Sequence, residues 1–341
     1  MGSKSEVYGA EAPSNIALIK YMGKRQGQGN RPTNSSLSYT LNHLLTRVEI
    51  ERVNEDARGA GGAGVQNGDR WEPLQWGTCA ALQLSPQGVE RFLKHFQLLK
   101  NQWGLSGDFV LRSANNFPAD CGVASSASSY AALTLAAFEL AKAESENPQK
   151  VESLTLEELA DLSRQGSGSS GRSFFSPWAI WQEDSIRAQT LPQEHLYHQL
   201  ILMETEKKAV SSSEAHQRVV SSALFEGRAE RADKRLHQLL SALNLGEWER
   251  AYSLVWSEFW DMHALFETSD PSFGYITERS MAMLRRLRLL WEREKDGPLV
   301  TMDAGANVHL LWRPDQRQRA QKIGEDLGLQ PGELISAPGL E

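Results

Sequence analysis

The chain has 341 residues, 40% of them hydrophobic, and a formal net charge of −7. That length gives one large domain or two intimately packed ones with a substantial core. The negative balance excludes a general attraction to nucleic acid or anionic membrane, so an anionic ligand must meet a local cluster of donors. Only two cysteines, Cys79 and Cys121, are present, which excludes a disulfide framework and a cysteine-based zinc site. The eight histidines show no HExxH or close ligand spacing, and His263 and His309 read as packing or hydrogen-bonding groups. No apolar run of about 18 residues and no basic-then-apolar leader is evident, so the expected compartment is the cytoplasm.

In chain order, Asn15-Ile16-Ala17-Leu18-Ile19 reads as a buried strand running into Lys20, with Tyr21-Met22-Gly23-Lys24-Arg25 behind it. A lysine is rarely buried without an acidic or anionic partner. Lys20 is therefore either part of a charged site or a strand-end residue with packed stem and solvated head. Residues 36–52 suit strands, and clustered Gly, Asn and Asp over 54–70 predict an exposed turn or hairpin tip. Val89, Phe92, Leu93, Phe96 and Leu99 recur at helical spacing over 87–102, and Phe109–Arg112 predicts a short strand.

That strand feeds Asn115-Asn116-Phe117-Pro118-Ala119-Asp120-Cys121-Gly122-Val123-Ala124-Ser125-Ser126-Ala127-Ser128 and an alanine-rich run to about Ala143. Where a loop opens into a helix, the first N–H groups lack helical partners and the dipole adds positive charge. Gly122 lets an anion approach the backbone, while Ser125, Ser126 and Ser128 add hydroxyl donors. These are the means of holding a phosphate. The Walker pattern GxxxxGK[ST] is absent, and a capped core helix with a serine-rich start is the other reading.

A helix is predicted over 155–164. It precedes Gly166-Ser167-Gly168-Ser169-Ser170-Gly171-Arg172-Ser173, a second anion-binding candidate. The Arg172 guanidinium can grip a carboxylate or phosphate with two parallel hydrogen bonds. A flexible linker is the alternative, and the bulky sequel Phe174-Phe175-Ser176-Pro177-Trp178 stands against it. A strand is predicted at 199–204 and helices at 212–224, 229–243, 247–265 and 272–294. Strands at 298–302 and 307–312 flank the turn Asp303-Ala304-Gly305-Ala306, and a last helix covers 315–328. Asp303 is either a carboxylate open to a ligand or a turn aspartate bonding its own backbone. Strands mixed with helices early and a helix-rich later half define an α+β chain with two lobes, 1–190 and 191–341.

Taken in order, these segments resemble the GHMP kinase superfamily, most closely its diphosphomevalonate decarboxylase branch. The resemblance rests on Asn15 to Lys24, Pro32-Thr33-Asn34-Ser35-Ser36-Leu37-Ser38, Asn115 to Ser128, Gly166 to Ser173 and Met302-Asp303-Ala304-Gly305-Ala306-Asn307. It implies a GHMP kinase fold, with an N-terminal ribosomal-protein-S5-like α/β lobe and a helix-rich C-terminal α+β lobe. The implied reaction belongs to the mevalonate pathway of isoprenoid synthesis. ATP phosphorylates the tertiary 3-hydroxyl of mevalonate 5-diphosphate, then phosphate and carbon dioxide leave to give isopentenyl diphosphate.

By the same resemblance, Asp303, Lys20 and Arg172 are catalytic: Asp303 beside the 3-hydroxyl as base or orienting group, Lys20 near it and the transferring phosphoryl, and Arg172 on the C1 carboxylate. Asn15, Tyr21, Lys24, Ser167, Gly168, Ser169 and Ser212 bind substrate. Gly122, Ala124, Ser125, Ser126 and Ser128 bind ATP phosphates, with Ser126 on magnesium. A homodimer acting on small molecules, without nucleic acid or membrane, is also implied. The chain departs from the branch at Met22, where tryptophan is usual, and at Asp120 and Cys121, where small neutral residues are usual. It departs again at Ser213, where some members carry an arginine that Arg218 would have to replace. Three alternatives stand beside this reading: a mevalonate 5-phosphate decarboxylase, a mevalonate 3-kinase without decarboxylation, and a non-catalytic binding protein on the same fold.

Overall fold

The computed structural model describes residues 6–25, 27–53, 68–77, 82–117, 125–204 and 208–340. Cys79, Asp120, Cys121, Gly122 and Ala124, and most of the turn predicted at 54–70, lie outside the described residues. The chain packs into two compact units, neither of which is one continuous segment. The first holds residues up to Ser14, the described part of 44–119, and Ser125–Phe174; the second holds Asn15–His43 and the chain from Phe175 onward. Strands β1 (Val7–Ile19) and β2 (Ser36–Arg52) each start in one unit and finish in the other.

In the first unit, Thr46–Arg52 of β2 pairs antiparallel with β4 (Phe109–Asn115), which pairs parallel with β3 (Arg70–Pro73). Helix α1 (Pro86–Trp103) starts where Ser85 accepts from the Gly88 N–H and Pro86 fixes the first φ; it ends at Gly104 in the left-handed region. Its Phe92, Phe96 and Leu99 pack with Val48, Ile50, Phe109 and Leu111, as their spacing predicts. Helix α2 (Ser125–Glu144) buries Ala127, Ala131, Ala132, Ala136, Ala137 and Ala141, so small residues let neighbours approach on several sides. A short helix α3 (Pro148–Glu152) follows, then α4 (Leu156–Gly166), opened by a Thr155–Glu158 capping box.

In the second unit, Ser36–Tyr39 of β2 pairs with β5 (Trp178–Gln182), which forms a hairpin with β6 (Ser185–Ala188). A second, all-antiparallel sheet runs in the order β10 (Leu334–Ser336), β7 (Tyr197–Ile201), β9 (Val308–Trp312), β8 (Leu299–Thr301). The remaining helices are α5 (Ser212–Arg218), α6 (Arg228–Asn244), α7 (Trp248–Glu267), α8 (Glu278–Glu294) and α9 (Arg317–Asp326).

Two predicted boundaries shift for local reasons. Helix α8 begins at Glu278, not 272, because Phe273 and Tyr275 are drawn into rings around Phe266 (5.1 and 5.2 Å) and Thr277 caps the helix. Strand β7 stops at Ile201 because the Asn307 side chain then takes the N–H groups of Met203 (2.7 Å) and Glu204 (3.0 Å).

Buried histidines set an acid limit on stability. Burial holds His43 and His95 down to about 4, and burial with two neighbouring imidazoles holds His198 well below its ordinary 6.5. Each folds neutral, so below 6.5 the unfolded chain binds protons that the folded chain refuses. This stability is complete above the unfolded value and is lost as pH falls from about 6.5 toward 4. The expected outcome is a urea midpoint that drops steadily across that window, measured by tryptophan fluorescence; a flat midpoint contradicts neutral burial.

Candidate active site

In the second unit, Lys20 follows directly on the apolar end of β1 and is 1% exposed. Its Nζ donates to Asp303 Oδ1 at 2.7 Å across 283 residues of sequence, and the Asp303 side chain is 25% exposed. Two groups that were ambiguous separately thus share one site: a buried ammonium and the carboxylate that keeps it charged. Removing one member of such a pair costs about 3–5 kcal/mol where both are buried, and less here because one edge of Asp303 meets solvent.

The Asp303 turn is held from several directions. His263, on α7, lies 3.1 Å through Nε2 from the Asp303 carbonyl, which also accepts the Gly305 N–H at 2.8 Å. A carbonyl only accepts, so His263 donates through Nε2. Burial, and then the adjacent Lys20 ammonium, hold the His263 imidazole at about 3, so it donates as a neutral ring. Lys208 Nζ bridges the Ala304 carbonyl (2.8 Å) and the Ser212 hydroxyl (3.0 Å). Met22 is buried beneath this region with Val210, Ala215, Met262, Phe266 and Tyr275, and Ala304 packs against the same cluster.

The other residues expected from the N-terminal signature lie in the same unit. Asn15 is buried. The Tyr21 hydroxyl donates to the Asn30 carbonyl (2.8 Å), and its ring lies 5.1 Å from Trp181 and 4.3 Å from His216. Lys24 Nζ donates to Asn30 Oδ1 at 2.7 Å. Gly23 sits at φ +95°, where an added Cβ would meet Thr33 Oγ1 at 2.7 Å, and its N–H donates to His216 Nδ1 at 3.0 Å. Ser213 is exposed. Arg218, the proposed replacement for its missing guanidinium, is bound to Glu214 and lies 5.6 Å over the Phe273 ring.

The first unit carries the hydroxyl groups. Ser125 opens α2, whose first turn has no acidic residue. The exposed Ser126 accepts from Ser167 Oγ at 3.3 Å, and Ser167 Oγ lies 3.4 Å from Ser169 Oγ, so two sequence-distant serine segments meet in one cluster. Ser128 faces inward: it is fully buried, with Oγ 2.6 Å from Thr46 Oγ1 and 3.2 Å from the Ser125 carbonyl. Residues Ser170–Phe174 form a 3-10 turn in which Arg172 is buried, and Ser170 Oγ bonds Ser163 at 2.7 Å. The Gly/Ser segment is a packed turn, which a flexible linker would not form.

Sequence reading missed Glu258, Arg228 and His216, and His263 as a support of the Asp303 turn. Glu258 carried a usable signal: a carboxylate inside Val255-Trp256-Ser257-Glu258-Phe259-Trp260 is as anomalous as Lys20 beside its apolar strand. His216 carried none, because Gly23 lies 193 residues away, and Arg228 carried none, because it meets Glu258 and Lys20 on other elements 30 and 208 residues away.

An α+β chain of this architecture, with a buried lysine–aspartate pair and a serine-rich helix start, has the GHMP kinase fold. The mevalonate diphosphate decarboxylase from Legionella pneumophila superposes on it with a TM-score of 0.85 at 41% identity, covering 97% of this chain and all of that one. The structure described as MDDEF in complex with MVAPP, AMPPCP and magnesium gives 0.81 at 25% identity, over 97% of this chain and 96% of that one. The diphosphomevalonate decarboxylase of Ganoderma lucidum is 31% identical over 329 residues, 90% of this chain and 78% of that protein. The diphosphomevalonate decarboxylase-like N-terminal domain model matches residues 12–69 and 77–191, and the mevalonate 5-diphosphate decarboxylase C-terminal domain model matches 199–324. The chain belongs to the diphosphomevalonate decarboxylase family.

Gly166 tests the packing behind the serine segment. An added Cβ would stand 2.1 Å from the Tyr130 ring and 2.7 Å from His95. Gly166→Ala is therefore expected to destabilise the protein by about 1–3 kcal/mol, read from its denaturation midpoint. An unchanged midpoint would show that these rings yield freely.

Proposed function

We propose that this chain decarboxylates mevalonate 5-diphosphate to isopentenyl diphosphate in an ATP-dependent reaction that first phosphorylates the 3-hydroxyl. The observation that carries the reading is the 2.7 Å Lys20–Asp303 pair, set in a chain whose family acts on this substrate. A tertiary hydroxyl is a poor leaving group, and phosphorylation makes it a good one. As the C1–C2 bond breaks, its electrons form the C2–C3 double bond, and the C3–O bond releases phosphate.

Asp303 accepts the hydrogen bond of the 3-hydroxyl and its proton as the phosphoryl group arrives. Lys20 keeps Asp303 ionised and neutralises the charge that grows on the transferred group. Arg172 holds the C1 carboxylate by two parallel hydrogen bonds, which fixes the C1–C2 bond for cleavage. Asn15, Tyr21, Lys24, Ser167, Gly168, Ser169 and Ser212 complete the substrate contacts.

The Ser126 hydroxyl, on an acid-free first helical turn, suits the ATP phosphate chain, beside the substrate serines Ser167 and Ser169. Among the described residues no group of three His, Cys, Asp or Glu side chains is placed to hold a metal ion. By family resemblance we assign Ser126 to magnesium, which, when bound, would neutralise the nucleotide phosphates. Ser125 completes the phosphate contacts and Ser128 supports them from the interior.

No helix among the described residues is long and apolar enough to cross a membrane. A cytoplasmic homodimer with lobes 1–190 and 191–341 completes the reading.

A mevalonate 5-phosphate decarboxylase is the second reading. Its support is specific: an arginine is missing at Ser213, and Arg218 is engaged by Glu214 and the Phe273 ring. One lost charge-assisted contact weakens binding by about 1.5–3 kcal/mol, roughly ten- to a hundredfold, without abolishing it. Phosphate release with ATP and magnesium, measured on mevalonate, its 5-phosphate and its 5-diphosphate with the organic product identified, decides between them. The expected result is the highest kcat/KM for the diphosphate and isopentenyl diphosphate as product. A higher value for the monophosphate establishes the second reading.

Asp303→Asn is expected to keep the fold and nucleotide binding while turnover falls by roughly 10³-fold, about 4 kcal/mol of transition-state stabilisation. Near-normal turnover in a folded Asn variant removes Asp303 from the chemistry.

A further inference from the structure

Strand β1 ends at Ile19, so the peptide group of Lys20 lies just beyond the regular strand. A side-chain pair from two helices takes the place of a neighbouring strand there. Glu258 Oε1, on α7, accepts the Lys20 N–H at 3.0 Å. Arg228, at the start of α6, donates through NH2 to the Lys20 carbonyl at 3.2 Å, and Asn34 Nδ2 donates to the same carbonyl at 2.9 Å. Arg228 and Glu258 grip one another through both nitrogens and both oxygens, and are 1% and 0% exposed. One carboxylate–guanidinium unit thus exchanges an acceptor and a donor with a single residue, as a paired strand would.

The surrounding charges tie the helices together. Asp261 binds Arg231 at 2.9 Å and also binds Arg228 and Arg235, and Arg235 reaches Glu258 at 2.9 Å. Burial pushes the Asp261 carboxyl up, but hydrogen bonds from Arg231 and Arg235 bring it below its ordinary value. Of the two carboxylates, Glu258 is the one that contacts Lys20 directly.

We propose that Glu258 is a positioning residue for Lys20: with Arg228 it brackets the Lys20 peptide and so aims the ammonium at Asp303. The inference rests on the assignment of Lys20 and Asp303 to the chemistry. A flexible lysine has four side-chain rotors, and an unfixed backbone would spread its head over several ångströms. Catalytic groups misplaced by about 1 Å lose on the order of 10²-fold in rate.

Glu258→Gln keeps the shape but puts an NH2 where one oxygen stood. Both oxygen positions face donors, Lys20 N–H and Arg228 at Oε1, Arg228 and Arg235 at Oε2, so the bracket breaks in either orientation. The variant is expected to lower kcat by about 10- to 100-fold while ATP affinity stays within about twofold. In its crystal structure the Lys20 ammonium should lie beyond hydrogen-bond reach of Asp303. Arg231→Gln weakens the same tie between helices without touching Lys20, and should lower the unfolding midpoint while leaving kcat unchanged. If Glu258→Gln does not fold, the Glu258→Gln/Arg228→Gln double variant, which leaves no buried charge unpaired, undergoes the same measurements. The proposal is overturned if the Lys20–Asp303 bond persists in the folded variant, whatever happens to kcat. It is overturned equally if Arg231→Gln loses kcat in step with Glu258→Gln. Should the wild-type enzyme fail to decarboxylate mevalonate 5-diphosphate, the functional reading fails, and the position of Lys20 in the variant still decides this inference.

Discussion

A lysine ammonium inside an apolar interior keeps its charge only if an opposite charge meets it at a fixed place. Lys20 imposes that condition on the second unit. Asp303 satisfies it from a turn of small residues, which lets the carboxylate come within 2.7 Å. The turn must not drift, and the neutral His263, the Gly305 N–H and the Lys208 bridge to Ala304 hold its backbone. The position of one carboxylate therefore depends on α7, on the β8–β9 connection and on the segment before α5.

The two units carry different kinds of polar group. The second uses full charges: Lys20 on Asp303, backed by three guanidiniums and two carboxylates where α6 packs on α7. Full charges are directional and costly to strand, so each is paired. The first unit offers uncharged hydroxyls at Ser126, Ser167 and Ser169, which rotate to give or take a hydrogen bond. Hydroxyls adapt to either role, whereas an ion pair is fixed in sign.

Much of the architecture was legible because local pattern and tertiary structure agree. The spacing over 87–102 gave α1, and the β-branched run over 36–52 gave the whole of β2. The β5–β6 hairpin was not seen, because its two-residue turn is Glu183-Asp184, with Glu183 at φ 52°, and carries no glycine or asparagine signal. At the site, Lys20 and Asp303 were legible as anomalies: a charge at an apolar strand's end and a lone carboxylate among small residues. Their pairing was implied by family resemblance, since no local pattern spans 283 residues. Glu258 was an anomaly of the same kind, but its partner Arg228, 30 residues away, meets it only once α6 and α7 pack.

That separation also has a consequence in time. Lys20 leaves the ribosome 283 residues ahead of Asp303. At about 5–20 residues per second, translation separates them by roughly 14 to 57 s. Arg228 and Glu258 emerge 208 and 238 residues after Lys20, so the start of the second unit waits for them as well. During that interval the ammonium lacks Asp303, and the Lys20 peptide lacks the Glu258–Arg228 bracket. The apolar run from Ile16 to Ile19 is meanwhile obliged to leave its lysine end solvated. Most of the first unit's sequence is complete by Phe174, well before this. The nascent protein thus completes the sequence of its hydroxyl-bearing unit before that of its ionic unit, and a chain that stops short of Asp303 has no Lys20–Asp303 pair.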